Sequence, residues 1–453
     1  RSAFLDRFAA DPTIAGLLPY VVAAYATPST LRFGQETIIW SEVGAQQGDP
    51  GGPTTFSLAS SPLVKEAAGD RLELTLQFLD DIAAGGSVGE VASFVARLEP
   101  LLAAVGLRIN WKKTQLVCCW GAVNARARAA FPALLPDCFR DWSSWDFLGV
   151  PVGTDPEAAR RFASHIAGRA IAKSRVLARV AAEDLHVGSA LAQFCSGGPL
   201  INHLARACGP VVQKQLARVD TARIDAWQEA VASLAPEELL LATLPPSKGG
   251  VGLRRSADFS ACAFVAAERA ARSLAHNFIR RDVLADLPAD EWLQFALADA
   301  VARGPAHAAE RIAAYSRDPR PPLLHAQRWL SAPIVEASVA AVWEAASPPI
   351  RARMKSASAE WASSWLAPLP GRDGRPAWIA PQPYALLCRL RLGLPLRDGP
   401  VVAPCGLCGH NAADRFGHHA LACGSAKWRC HNAIRDELKK LAEVAGWSPQ
   451  QEV

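Results

Sequence analysis

"RLELTLQFLDDIAAGG", residues 71–86, decides how the first part of this chain folds. Leu72, Leu74, Leu76 and Phe78 alternate with Glu73, Thr75 and Gln77, the period-2 pattern of a β-strand. Asp80 and Asp81 interrupt the run, and Ile82–Gly86 returns as a second short strand. The stretch therefore reads as a β-hairpin with two adjacent carboxylates at its tip. Like charges this close raise one another's pKa unless a cation sits beside them. Mg²⁺ resolves that conflict, since it takes oxygen ligands and needs few from protein. Paired Mg²⁺ ions on such carboxylates stabilise attacking and leaving oxygens in phosphoryl chemistry. An acidic hairpin turn with no ion is the plainer alternative.

About thirty residues upstream lies "EVGAQQGDPGGPTTFSLASSPL", residues 42–63. Gln47, Gly48, Asp49 and Pro50 combine a flexible point, a rigid turn, an amide and a carboxylate. Gly48 has no side chain to obstruct a sugar or base, and the loop runs into a helix over "TTFSLASSPLVKEAA". Downstream, "VGEVASFVARLEPLLAAVGL" has helical spacing and stops at Gly106. "RINWKKTQLVCCW" and "WDFLGVPVG" are strand candidates. Residues 1–40 read as a helix followed by a turn near Tyr25. Beyond residue 153 the pattern turns helical. Thr154 and Glu157 have capping-box spacing, and Arg161, Arg169, Lys173, Arg175 and Arg179 give the helix a basic face, suited to phosphates or simply to solvent. Gly/Pro-rich stretches at 244–254, 316–322 and 369–376 mark hinges. "SKGGVG" is no phosphate loop, because its lysine precedes the glycines.

The bulk numbers fit this α+β reading. The chain has 453 residues, half of them apolar and a fifth charged, enough for roughly three domains and unlike a disordered chain. A net charge of +5 permits a nucleic-acid partner without requiring one. The apolar stretch Pro12–Leu31 is broken by prolines, so it is no membrane span. No signal peptide is visible. Residue 1 is Arg and the single Met is Met354, which reads as a piece of a longer protein.

Eleven cysteines are too sparse in a chain this long for a secreted disulfide scaffold, so a reducing compartment is expected. "CGLCGHNAADRFGHHALAC" stands apart: Cys405, Cys408, His418 or His419, and Cys423 suit tetrahedral Zn²⁺, with His410 a weaker choice. Such a zinc is structural and folds a segment too short to bury a core. Arg389, Arg391, Arg397, Lys427, Arg429, Arg435, Lys439 and Lys440 flank it, as a nucleic-acid backbone favours.

"QQGDPGGPTTFSLA", "FLDD", "GLRINWKKTQL" and "FLGVPVG", in that order, resemble the palm of reverse transcriptases of non-LTR retrotransposons. "HHALAC" and "RCHNAIRDEL" are similar to the zinc knuckle and nuclease start of the subclass with a restriction-like endonuclease. The resemblance implies an RNA-directed DNA polymerase, with Asp80 and Asp81 on Mg²⁺, Gln47–Pro50 placing nucleotide and template, and Lys113 giving a proton to the leaving pyrophosphate. It favours His419 as the knuckle's imidazole. It implies an RNA template, a DNA primer or target and deoxynucleoside triphosphates as partners, no membrane, and a nuclear place of work. The order implied is a partial fingers and palm over 1–153, a helical thumb over 154–243, a helical linker over 244–400, the knuckle over 401–426 and the start of a nuclease-like region over 427–453. Gly51 departs from the bulky residue the family has there. The family's third metal-binding Asp precedes an Ala-Phe segment that "RSAFLDRF" resembles, which puts it some way before Arg1. Asp6 is no substitute, since it lies in a helical run. The chain alone is therefore expected to polymerise weakly or not at all, and a nucleic-acid-binding remnant without activity is the alternative.

Overall fold

The structure is a computed structural model that describes residues 1–33, 37–46, 48–118, 124–141, 145–153, 155–192, 198–280, 282, 291–318, 323–367, 369–370, 376–396, 404–409, 414–419 and 423–444. Gln47, Thr154 and His410 lie outside them. The fold is mixed α+β and mostly helical, with small two-stranded sheets. It divides into two compact units, one mainly Arg1–Ala159 with Ala267–Glu291, the other Arg160–Ala266, Trp292–Pro319 and Leu323–Val453.

In the first unit, α1 (Ser2–Ala10) and α2 (Leu18–Tyr25) precede a hairpin of β1 (Ser29–Phe33) and β2 (Thr37–Ser41). The sequence had promised only a turn there. The apolar Pro12–Leu31 stretch is thus shared between a short helix and a strand, and no described helix is long and apolar enough to cross a membrane. Helix α3 (Gly52–Ala68) leaves the Gly/Pro loop as expected. The alternating stretch forms β3 (Leu74–Phe78) and β4 (Asp81–Gly85), paired with Phe78 opposite Asp81. Residues 278–280 add a third rung on the outer edge of β3: Thr75 N donates to Phe278 O and Arg280 N to Glu73 O, each at 2.9 Å.

Helix α4 (Val88–Ala104) starts where its sequence says. Ser87 N donates to Glu90 Oε2 at 2.8 Å and Glu90 N to Ser87 Oγ at 3.3 Å, a reciprocal cap. Its Phe94, Leu98 and Leu102, one turn apart, bury against Leu63, Val64 and Ala67 of α3 and against Leu72. This core holds the hairpin, because Ile82 and Ala84 of β4 pack on it.

The strand expected over 108–120 is mostly absent among the described residues. Lys113 N, Thr114 N and Thr114 Oγ1 all donate to Asn110 O at 2.9–3.0 Å, and only β5 (Leu116–Cys118) survives, parallel to a short β6 (Phe139–Asp141). Side-chain-to-backbone bonding by Thr114 competes with the ladder there. "WDFLGVPVG" is a miniature hairpin, β7 (Asp146–Phe147) with β8 (Val150–Pro151). Its two turn residues, Leu148 and Gly149, have φ of +52° and +76°, the backbone that two-residue hairpin loops favour.

The second unit is helical. Along α5 (Pro156–Glu183), Ala163, Ala167, Ala170 and Ser174 form a buried stripe of small side chains. Arg161, Arg169, Lys173, Arg175 and Arg179 are all exposed on it. The "SKGGVG" hinge is built into the core. Arg391 donates to Gly250 O at 2.8 Å, Pro246 O at 2.6 Å, Ala357 O at 3.1 Å and Ala362 O at 3.2 Å, so a buried guanidinium is satisfied by backbone carbonyls. α6 (Gly424–Val444) closes the described chain.

Candidate functional site

The acidic tip is set by backbone geometry. A two-residue turn, Leu79–Asp80, joins β3 to β4, and Leu79 carries φ +54°. A branched side chain in the left-handed region costs on the order of 1–2 kcal/mol, and a turn of this length wants a positive φ. Gln77 braces the tip: its Nε2 donates to Leu79 O at 2.9 Å and to Ser60 Oγ of α3 at 2.8 Å. Phe78, Asp80 and Asp81 are all exposed. The carboxylates are therefore held up to solvent and are not packed away. Two adjacent carboxylates suit Mg²⁺, which binds through one or two of them plus phosphates and water.

The Gly/Pro loop stands at the N-terminus of the same α3 that braces the tip. Ser60 lies eight residues after Gly52, about 12 Å along a helix at 1.5 Å per residue. Gly48 takes φ +94° and Pro50 is exposed. Asp49 is engaged within the protein. Its carboxylate accepts from Tyr25 Oη, from Gly51 N at 2.8 Å and from Tyr20 Oη at 3.3 Å. The Tyr25 bond, then the Gly51 N–H, hold the Asp49 pKa below the usual carboxylate value. Burial, then the bond to Asp49, push the Tyr25 phenol up. Arg1 fastens the base of the loop from below, donating to Ser41 O at 2.5 Å and Thr27 O at 2.8 Å. Sequence reasoning had given Asp49 a ligand-facing part; its oxygens are instead used to shape the turn. Lys113 lies exposed in the Asn110 turn.

The second candidate is a Cys₃His cluster. Ligand atoms of Cys405, Cys408, His419 and Cys423 all lie within 4.8 Å of one another, and Cys408 Sγ is 3.3 Å from His419 Nε2. A tetrahedral zinc with bonds of ~2.3 Å to sulfur needs donor–donor edges of about 3.8 Å, so the set fits a zinc-like ion. The knuckle is tied by Gly409 N donating to Cys405 O at 2.7 Å, with Gly409 at φ +74°. Backbone N–H groups of Leu407 and Cys408 point at the Cys405 sulfur and pull its thiol down to about 6. Cys423 is buried at the start of α6.

The choice between the two histidines is decided by Asp414. Its carboxylate accepts from His419 N at 2.8 Å, Phe416 N at 2.9 Å and His418 N at 3.1 Å, and lies 3.3 Å from His418 Nδ1. This turn sends the His419 ring to the sulfurs and keeps His418 beside the carboxylate. Burial acts to raise the Asp414 pKa, but the three N–H donors, led by His419, outweigh it and leave it lowered. Sequence reasoning missed Asp414; the signal was an Asp two, four and five residues before the N–H groups it caps. Among the described residues, no other group of three or more His, Cys, Asp or Glu is arranged for a metal. No protein-family model matches this chain, and no curated protein matches it.

Proposed function

We propose that the chain is part of an RNA-directed DNA polymerase of the non-LTR retrotransposon kind, with a zinc knuckle that grips nucleic acid. The observation that carries this reading is the pair Asp80–Asp81, lifted to solvent on a strained two-residue turn and braced by the helix that begins at the Gln-Gly-Asp-Pro loop. Backbone strain at a polar, exposed tip is what functional sites retain. In this reading the first unit supplies the partial fingers and palm, α5 the thumb helix along a template–primer duplex, and Cys405, Cys408, His419 and Cys423 hold a structural Zn²⁺.

Asp80 and Asp81 would hold Mg²⁺, which when bound neutralises charge on the nucleotide's phosphates. The chain's own residues bind and orient. Gly48 and Pro50 give the incoming nucleotide and template a close backbone approach, Asp49 keeps that loop folded, and Lys113, exposed at the end of a flexible side chain, protonates the leaving pyrophosphate. The reaction is in-line attack of a primer 3′-hydroxyl on the α-phosphate of a deoxynucleoside triphosphate, forming a new phosphodiester and releasing pyrophosphate. Primer extension on an RNA template tests it. Mg²⁺-dependent synthesis, however weak, that disappears in Asp80→Asn and Asp81→Asn is expected; synthesis indifferent to both refutes the site.

A second reading, a nucleic-acid-binding protein without catalysis, draws on a different observation. The Cys₃His cluster and the exposed cations of α5 need no carboxylate tip to act. RNA binding that survives Asp80→Asn together with no synthesis under any divalent cation selects it.

A further inference from the structure

Helix α6 leaves the Cys₃His cluster directly, since Lys427 N donates to Cys423 O at 3.0 Å. Trp428 stands one turn in and is 68% exposed. Its ring lies nearly parallel to that of His431, with centroids 5.6 Å apart and planes 15° apart. His431 is itself exposed, and so are Lys427 and Arg429 on either side of the tryptophan. Further along, Arg435 pairs with Asp436 at 2.8 Å and Lys439 with Glu443 at 4.0 Å. Lys427 and Arg429 are in no ion pair among the described residues. They also sit in the opening turns, where the helix dipole disfavours positive charge. Neither helix stability nor burial accounts for an exposed indole between two unneutralised cations.

We infer that Trp428 and His431 form a base-stacking platform for single-stranded RNA, with Lys427 and Arg429 holding the adjoining phosphates. Aromatic faces with interleaved cations bind strands whose bases are free to leave the stack. A duplex offers its bases only edge-on, so it cannot use the indole face. RNA is chosen over DNA because the inference rests on the proposed RNA template. The Cys₃His cluster fixes the N-terminal end of the helix and hence the direction in which the platform points. A second copy of the chain, docking on exposed Ile434 and Leu438, is the rival occupant.

The test uses the zinc-loaded 453-residue chain and labelled oligonucleotides of equal length: single-stranded pyrimidine RNA, the same sequence as DNA, and a blunt RNA duplex. Fluorescence anisotropy is read across a salt series, with sedimentation of the free protein alongside. Trp428→Ala is expected to weaken single-stranded RNA binding about 5- to 100-fold, the loss of one base–aromatic stack, while Trp428→Phe stays near wild type and the duplex is unaffected. The pair Lys427→Ala/Arg429→Ala is expected to reduce the slope of log affinity against log salt by about 1.4, or ~0.7 for each phosphate contact on a single strand. Single-stranded RNA binding unchanged in Trp428→Ala, tighter binding of duplex or DNA, or a loss that follows a change of oligomeric state overturns the inference. A chain that binds no RNA of any form overturns the nucleic-acid reading with it, whereas RNA binding indifferent to Trp428 overturns the platform alone.

Discussion

The acidic hairpin and the cysteine–histidine knuckle both bring polar ligand atoms together, by opposite means. Asp80 and Asp81 are neighbours in sequence, and the β3–β4 ladder with the Gln77 brace presents them whether or not an ion is bound. The knuckle gathers Cys405, Cys408, His419 and Cys423 from separate turns around a segment with little core of its own. Cys423 is the one buried ligand. The contrast predicts that the hairpin folds first and binds afterwards, while the knuckle's binding free energy is its folding free energy.

Removing metal separates the two regions most sharply. Chelation, or Cys408→Ser, is expected to melt residues 404–409 and 414–419 and to lower zinc affinity by more than about 100-fold, beyond the usual loss from an outer partner. Hydrogen exchange should show the β3–β4 hairpin unchanged, and equal loss of protection at both places breaks the comparison. A smaller effect is expected at Asp414. Asp414→Ala frees the turn that aims His419, so zinc affinity should fall about 10–100-fold. The cobalt-substituted protein should show a weakened imidazole contribution in its visible spectrum, while His418→Ala leaves that spectrum alone.

On the hairpin side the effects are smaller still. Gln77→Ala removes both bonds to Ser60 and Leu79 and should cost about 1–2 kcal/mol in urea unfolding of the first unit. Leu79→Gly relieves the positive φ, at ~1–2 kcal/mol, against about 1 kcal/mol of added backbone entropy, so it should be near neutral or slightly stabilising. A large destabilisation would mean that Leu79 packs rather than strains.

The two regions also titrate in separate windows. The Cys405 thiol is depressed to about 6, below its unfolded value of roughly 8.5. Its contribution is therefore complete above the unfolded value and lost as pH falls through about 6. Metal uptake weakens over the same range. The Glu90 carboxylate is lowered by its Ser87 bonds, and the Asp49 carboxylate by Tyr25 and Gly51. Both contribute above the ordinary carboxylate value near 4 and lose that only as pH falls further. Near pH 5 the knuckle should have loosened and the first unit should be intact, which amide exchange resolved by segment can check.

How much of this was legible depends on how local each cause was. The β3–β4 hairpin followed from alternation over a few residues, α4 from helical spacing that stops at Gly106, and the knuckle from cysteine spacing. The rung at 278–280 was not readable, because it joins Leu74 to Ile279, some two hundred residues on, and a short edge rung has no pattern of its own. The missing strand at 110–114 failed for the opposite reason. Among residues 110–114 only Trp111 is apolar, and the Asn110 carbonyl captures three donors within four residues. Asp49 shows the limit for sites: a carboxylate in a glycine-rich loop looks the same in sequence whether it faces a ligand or, as here, two tyrosines from α2. At the knuckle, spacing left His418 and His419 open, and the choice lay in N–H groups donating to Asp414.

The proposed polymerase site requires that the adjacent carboxylates on the hairpin hold a divalent cation together with a nucleoside triphosphate. Mn²⁺ binding followed by electron paramagnetic resonance, with and without a deoxynucleoside triphosphate, tests it most directly. The nucleotide is expected to tighten Mn²⁺ binding in the wild-type chain and in Cys408→Ser, and Asp80→Asn with Asp81→Asn is expected to abolish the tightening. Nucleotide-linked Mn²⁺ binding that persists without both carboxylates, or that is absent from the wild type, contradicts it.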